Sequence, residues 1–176
     1  MLFRSKSCVG KEFCRFGTQY TTRLGIRLEK TFEYIDTPHK FKMGVSGCPR
    51  SCVESGVKDF GIISVENGFQ IYIGGNGGTE VEKDEFLTTV ETEDEVIKLC
   101  GALMQYYRET GIYAERTAPW LRRLGFENVK EVLLDPERQN ELFERIMDAK
   151  KAVEAEPWEA ITSNAQARRI FEVEKV

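Results

Sequence analysis

The order of apolar and polar residues along the chain predicts three strands in its first half. Apolar residues dominate or alternate at 41–45, 60–65 and 69–73, as in strands that are buried on one or both faces. Glu66-Asn67-Gly68 separates the last two runs, and an Asn-Gly step there predicts a tight hairpin. The glycine loop, Gly-Gly-Asn-Gly-Gly at 74–78, follows and is expected to lie outside regular structure.

Helical spacing of apolar residues predicts three helices around these strands. The segment 18–33 shows a moderate helical pattern, and 92–110 adds a capping box formed by Thr92 and Glu95. A third helix is expected at 136–155, with Asp135 as its cap. Its inward side chains are expected to be Leu142, Phe143, Ile146 and Met147. Strands and helices in this mixed order indicate an α+β or α/β layered structure.

Composition narrows the class of protein. The chain has 176 residues, 41% of them hydrophobic and 31% charged, which predicts one soluble domain with a real core. A net charge of −4 gives no basic surplus for nucleic acid. No apolar run reaches the roughly 20 residues that span a bilayer. Because the first residues also lack the apolar segment of a signal peptide, a cytoplasmic protein is predicted.

Five cysteines stand in this chain, an odd number that argues for metal ligation or buried thiols rather than a disulfide framework. The first cysteine pair, Cys8 and Cys14, has five residues between its members, and the second, Cys48 and Cys52, has three. If Pro49 begins a helix, the second pair lies on one helix face, where the helix N-terminus favours thiolate. Cys100 lies on the apolar face of the 92–110 helix and is expected in the core.

Spacing alone leaves two interpretations of the cysteine pairs open. Structural zinc sites show closer pairs than the five-residue gap, and ferredoxin-type clusters show three closely spaced cysteines. A site with four thiolate ligands and a set of buried free cysteines therefore remain equally acceptable at this point.

Longer motifs carry a family resemblance. The stretches CVGKEFCRFGTQ at 8–19, PHKFKMGVSGCPRSC at 38–52 and GGNGG at 74–78 resemble the siroheme and [4Fe-4S] domain of the nitrite and sulfite reductase family. The likeness is greatest to the C-terminal part of the large subunit of NAD(P)H-dependent assimilatory nitrite reductases. It implies an α+β fold with a mixed sheet and a helical C-terminal region. The implied domain covers 1–158 without its usual preceding ferredoxin-like segment, and 159–176 is expected to be a polar tail.

The resemblance also implies a set of site residues. The ligands of the [4Fe-4S] cluster would be Cys8, Cys14, Cys48 and Cys52, with Cys52 also bound to the siroheme iron. Siroheme carboxylates would be held by Arg50 and by the glycine loop through Gly75, Asn76 and Gly77. Residues expected to act on the substrate anion are Lys40, Lys42 and Arg15, with Arg4 and Lys6 as further contacts. His39, the only histidine, is expected to be exposed rather than catalytic.

The implied function is the six-electron reduction of nitrite to ammonium, with electrons from NAD(P)H passing through FAD-containing parts absent from this chain. Expected partners are the flavin and NAD(P)H domains of a parent chain, a small subunit, and a second copy in a homodimer. Taken alone, the fragment is expected to be inactive. The alternatives are an assimilatory sulfite reductase domain, an iron–sulfur electron-transfer module without haem, and a zinc-stabilised interaction domain.

Overall fold

The computed structural model describes residues 3–154 together with Ser163, Asn164 and Gln166. Its strands are β1 (Phe3–Ser7), β2 (Phe41–Ser46), β3 (Phe60–Val65), β4 (Gly68–Ile73), β5 (Asn76–Gly77), β6 (Val81–Glu82) and β7 (Glu85–Val90). Its helices are α1 (Gly10–Phe13), α2 (Thr21–Phe32), α3 (Glu93–Thr110), α4 (Thr117–Leu124), α5 (Phe126–Leu134) and α6 (Pro136–Glu154). The predicted tail, 159–176, lies outside the described residues apart from those three. Within the described part, no helix is long and apolar enough to cross a membrane.

Five strands form one mixed sheet in the order β1-β2-β3-β4-β7. The strands β1, β2 and β3 are parallel, whereas β4 pairs antiparallel with both β3 and β7. Parallel neighbours need crossover connections, and α1 and α2 supply the one between β1 and β2. The mixed sheet with its helices confirms the predicted α+β class.

The two faces of this sheet have different surroundings. Successive residues of a strand point to opposite faces, so Phe41, Met43 and Val45 share one face and enter the buried core. That core continues into α2, α3 and α6, and we call this side the helix face. Lys42, Gly44 and Ser46 point to the other side, the loop face. A short 3₁₀ turn, Ser55–Val57, covers part of it.

Most predicted elements are confirmed. The hairpin forms between β3 and β4, and α3 begins with the predicted capping box. At the start of α6 the Asp135 carboxylate accepts the Arg138 backbone N–H at 2.8 Å. The final predicted residue of that helix, Ala155, lies outside the described residues. The apolar patterns missed β1, β7, α4 and α5.

Two local predictions were wrong. The second cysteine pair does not sit on a helix, because Ser51 adopts φ 51° and the N–H of Ser51 bonds only to the carbonyl of Cys48, a three-residue turn. The segment around Pro49 is therefore a series of turns. The glycine loop is also not wholly irregular, since β5 within it pairs with β6.

Candidate functional site

Both cysteine pairs follow the carboxyl ends of neighbouring strands. Cys8 comes directly after β1, and Cys48 is two residues beyond β2. The strands pair in register with Ser7 opposite Val45, and the Cys8 N–H donates to the Val45 carbonyl oxygen at 2.9 Å. Since parallel strands end at the same edge of a sheet, the two pairs emerge side by side.

The loops that carry the cysteines touch through glycines. A Cβ at Gly47 would lie 2.8 Å from the Cα of Gly10, so this contact requires a residue without a side chain. Gly10 itself has φ 61°, which favours glycine. The Thr18 N–H donates to the Gly47 carbonyl oxygen at 2.8 Å. The backbone thus fixes the first cysteine loop against the second.

The thiols in these loops are free and unequally exposed. Cys48 is buried, the first pair is half-buried, and Cys52 is exposed. Among the described residues, no three Cys, His, Asp or Glu side chains converge closely enough to hold a single metal ion. The donor chemistry nevertheless fits a [4Fe-4S] cluster, because four thiols outside any disulfide share two abutting loops.

Cys100 differs from the four loop cysteines. It is fully buried in the core, with its sulfur 3.4 Å from that of Met43. Burial raises the pKa of its thiol well above the ordinary value. Its predicted place in the core is confirmed.

A cation–π stack of Arg15, Phe16 and Arg50 joins the two cysteine loops. The guanidinium carbon of Arg50 lies 3.7 Å from the centre of the Phe16 ring, and that of Arg15 lies 4.6 Å from it. The structure thereby brings together two arginines that the resemblance assigns to separate tasks. Their assignments to siroheme and to substrate stay predictions.

A basic pocket of about 440 Å³ opens beside β1 and β2, with most of its lining on the loop face. It is lined by Arg4, Ser5, Lys6, Glu29, Lys42, Met43, Glu54, Lys58 and Gly77. Arg4 and Lys42 are register partners on β1 and β2, which places them on the same face. Sequence reasoning missed Lys58, whose ammonium is 3.2 Å from Glu54. Its position two residues before β3 was the available signal.

The lysine pair, Lys40 and Lys42, is held through its backbone. The Lys42 N–H donates to Asp59 Oδ2 at 2.8 Å, and the Lys40 N–H donates to His39 Nδ1 at 2.8 Å. Lys42 lines the basic pocket, whereas Lys40 is not among the residues that line it. Burial, together with the charges of Arg116 and Lys40, lowers the pKa of Lys42. The expectation that His39 is exposed was wrong, since it is half-buried.

Asp59, also missed from the sequence, is the centre of a buried polar network. Its carboxylate is fully buried and accepts Nη2 of Arg116, at 3.0 Å to Oδ1 and 2.9 Å to Oδ2. The Thr117 hydroxyl also donates to it. Burial raises the pKa of Asp59, and the Arg116 charge opposes that rise. An acid directly before a buried strand was the signal for it.

The glycine loop uses part of its hydrogen-bonding capacity internally. The Gly75 N–H donates to the Lys58 carbonyl oxygen at 2.8 Å, and the Asn76 side-chain amide donates to the Glu80 carbonyl oxygen at 2.8 Å. The Gly75 N–H is therefore not a free donor for a bound carboxylate, and the Asn76 amide uses one of its two N–H groups. Gly77 lines the basic pocket, and the predicted contacts of this loop with siroheme stay predictions.

Asp84 is a further buried acid on the loop face. It is 5% exposed, and within the described part of the chain neither carboxylate oxygen has a hydrogen-bond partner. A Cβ at Gly61 would lie 2.8 Å from its Oδ2, so β3 leaves room for it with a glycine. Burial raises the pKa of Asp84 to about 7. No pattern in the sequence distinguished this residue from other aspartates.

Comparison with known proteins identifies relatives over most of the chain. Residues 2–141 match the family model described as the nitrite and sulphite reductase 4Fe-4S domain. The chain is 49% identical over 168 residues to the nitrite reductase [NAD(P)H] of Bacillus subtilis, covering 95% of this chain and 21% of that protein. It is 38% identical over 169 residues to the nitrite reductase (NADH) large subunit of Escherichia coli, covering 93% and 20%. The chain thus spans about a fifth of the length of these relatives.

The fold also occurs in a solved structure. The structure of the Mycobacterium tuberculosis NirA protein superposes with a TM-score of 0.64 at 19% identity, covering 73% of this chain and 26% of that one. At this identity the likeness concerns the fold.

Proposed function

The chain belongs to the nitrite and sulphite reductase 4Fe-4S domain family, and from that premise we propose that it forms the cofactor-holding part of a nitrite reductase. In this proposal, electrons from NAD(P)H arrive through other parts of a longer enzyme and reduce nitrite to ammonium. The proposal extends to siroheme, to flavin-containing partner domains and to a dimeric assembly.

One observation supports this function above the others. The two cysteine pairs leave the same edge of the sheet, and their loops are in backbone contact at Gly10 and Gly47. Because that contact excludes a Cβ, the backbones of the two loops that carry the four free thiols can lie close together. A cluster with four thiolate ligands needs such an arrangement.

The loop residues would share the work of holding the cofactors. The four cysteines would bind the cluster, and Cys52, the most exposed of them, would also bind the siroheme iron. The bound cofactors would supply the electrons and the position at which nitrite is reduced. The Arg15–Phe16–Arg50 stack would keep the two loops together, and its guanidinium groups would balance the negative charge of siroheme carboxylates.

The basic pocket suits an anionic group. Four cationic side chains line one opening: Arg4, Lys6, Lys42 and Lys58. The carboxylates of Glu29 and Glu54 in the same lining partly offset their positive charge. Such a pocket attracts nitrite or a cofactor carboxylate and stabilises negative charge that develops during reduction. Because burial lowers the pKa of Lys42, this ammonium gives up a proton more readily than an exposed lysine does.

The test is to produce the chain anaerobically with iron, sulfide and siroheme supplied. The expected product contains about five irons, four in the cluster and one in siroheme, with about four sulfides, and it shows a siroheme absorption band. The chain alone is expected to be inactive, but once loaded with both cofactors and supplied with a chemically reduced viologen in place of the flavin and NAD(P)H domains it should consume nitrite. Sulfite consumption without nitrite consumption would favour the sulfite reductase alternative, and a cluster without siroheme would favour the electron-transfer module.

Matched cysteine variants sharpen this test. Cys48→Ser should lose the cluster, and Cys52→Ser should lose the coupling between cluster and siroheme. Cys100→Ala should keep both cofactors, since Cys100 lies in the core. Zinc in place of iron, or an unchanged iron content in Cys48→Ser, would refute the proposal.

A further inference from the structure

The backbone N–H groups of the lysine pair are bound by side chains and not by the hydrogen bonds between β2 and β3. The register between β2 and β3 begins at Met43, which pairs with Phe60. The N–H groups of Lys40 and Lys42 precede that first pair. Side chains accept both of them, each at 2.8 Å.

The acceptors belong to residues that are themselves fixed. Asp59 is fully buried and bound by Arg116 and Thr117, which reach it from the start of α4. His39 is half-buried, and its carbonyl oxygen accepts the Thr37 hydroxyl at 2.6 Å. The start of β2 is therefore set by two segments distant in sequence, at Asp59 and at Arg116 and Thr117, together with the residues just before it.

We propose that His39 and Asp59 are positioning residues that orient the lysine pair toward its anion. This inference rests on the proposed function, because it takes the lysine pair as the anion contact. Each acceptor fixes one peptide plane, and a fixed peptide plane limits the directions in which the attached side chain leaves the strand. Correct placement of charge matters because small displacements in a reacting site cost large factors in rate.

The hydrogen bond that His39 accepts from the Lys40 N–H depends on pH. Its Nδ1 accepts a hydrogen bond only while it has no proton, so the imidazole must be neutral. Groups around His39 are Arg116, Lys40, Asp59 and the Tyr107 hydroxyl. Burial, with the charges of Arg116 and Lys40, lowers the pKa of His39, so the accepting form dominates at pH 7. The contact is lost as pH falls through that lowered pKa.

The first test measures amide hydrogen exchange at Lys40 and Lys42 by NMR, with each rate corrected for its intrinsic pH dependence. His39→Ala should reduce protection at Lys40 by about fivefold while leaving Lys42 unchanged. Asp59→Ala, which removes the acceptor, should reduce protection mainly at Lys42. Equal protection of Lys40 in wild type and His39→Ala would overturn the inference.

A conservative variant distinguishes the loss of this hydrogen bond from a general loss of structure. In His39→Asn the side-chain Oδ1 lies as many bonds from Cα as Nδ1 of histidine, and it accepts without titrating. Protection of Lys40 should therefore be restored and become independent of pH between 5 and 7 in that variant. Restored protection that still falls with pH would refute the role of the His39 ring.

A second readout connects positioning to function in the cofactor-loaded chain. His39→Ala should raise the KM for nitrite by about tenfold with a smaller change in kcat, and His39→Asn should recover it. The double variant K40M/K42M tests the proposed function separately. If it keeps the wild-type KM, the lysine pair does not contact the anion. If His39→Ala keeps the wild-type KM while K40M/K42M raises it, the positioning inference fails and the proposed function stands.

Discussion

The helix face and the loop face of the same sheet are built from alternate residues of the same strands, yet they are filled by different chemistry. On the helix face of β2, Phe41 and Val45 are fully buried among side chains of α2, α3 and α6. On the loop face the intervening positions are polar or small. There Ser46 Oγ lies 2.8 Å from Ser55 Oγ, and Gly44 leaves room for the Lys58 stem.

This difference separates the source of stability from the place of the proposed site. Apolar burial on the helix face supplies the main free energy of folding. The loop face is held by hydrogen bonds, glycine contacts and one buried ion pair, which leave cationic groups available at an opening. The strands tolerate a polar site on this face because apolar burial on the opposite face stabilises them.

The largest expected effect is on the helix face. Leu28 is fully buried on α2, whereas Ile26 on the same helix is 52% exposed. Leu28→Ala should lower the free energy of unfolding by about 2–5 kcal/mol, because it leaves a cavity in the core. Ile26→Ala should change it by less than about 0.5 kcal/mol. Urea denaturation measures both, and equal effects of the two variants would contradict the division between buried and exposed sides of α2.

A smaller effect with a distinct pH dependence is expected from Asp84 on the loop face. Its folded-state pKa of about 7 lies above the ordinary value of 3.8. The folded protein therefore holds this proton more tightly than the unfolded chain does. Stability from this group is present below pH 4 and is lost as pH rises through 7.

Asp84→Asn removes this titration. At pH 8 the variant should be more stable than the wild type by about 1 kcal/mol or more, and the advantage should shrink toward pH 5. The exposed Asp148, 73% of whose side chain is accessible, gives the control variant Asp148→Asn. Thermal unfolding at several pH values measures the difference. A wild type that gains stability between pH 5 and 8 relative to Asp84→Asn would contradict the assignment.

The helix face was more predictable from the sequence than the loop face. Apolar periodicity located α2, α3, α6 and the strands β2 to β4, because each pattern reflects burial against the core. The turn after Cys48 was predicted as a helix, since proline there satisfies the local rule while the left-handed Ser51 leaves no mark in the sequence. Motifs brought attention to the cysteines and lysines. Asp59 and Asp84 were missed because their roles depend on burial beside distant segments.

The smallest expected change in stability is at the stack that joins the cysteine loops. Phe16 is 40% exposed and contacts Arg15 and Arg50 through its ring, whereas Phe13 in the same loop region is 81% exposed. Phe16→Leu should lower the free energy of unfolding by less than about 1 kcal/mol, the usual size of exposed cation–π contacts. Its effect on iron incorporation should be larger, because the stack orders both loops before a cluster is bound. Phe13→Leu should leave both quantities unchanged. If iron incorporation falls equally in the two variants, the apolar side chains of the loop rather than the arginine stack prepare the site.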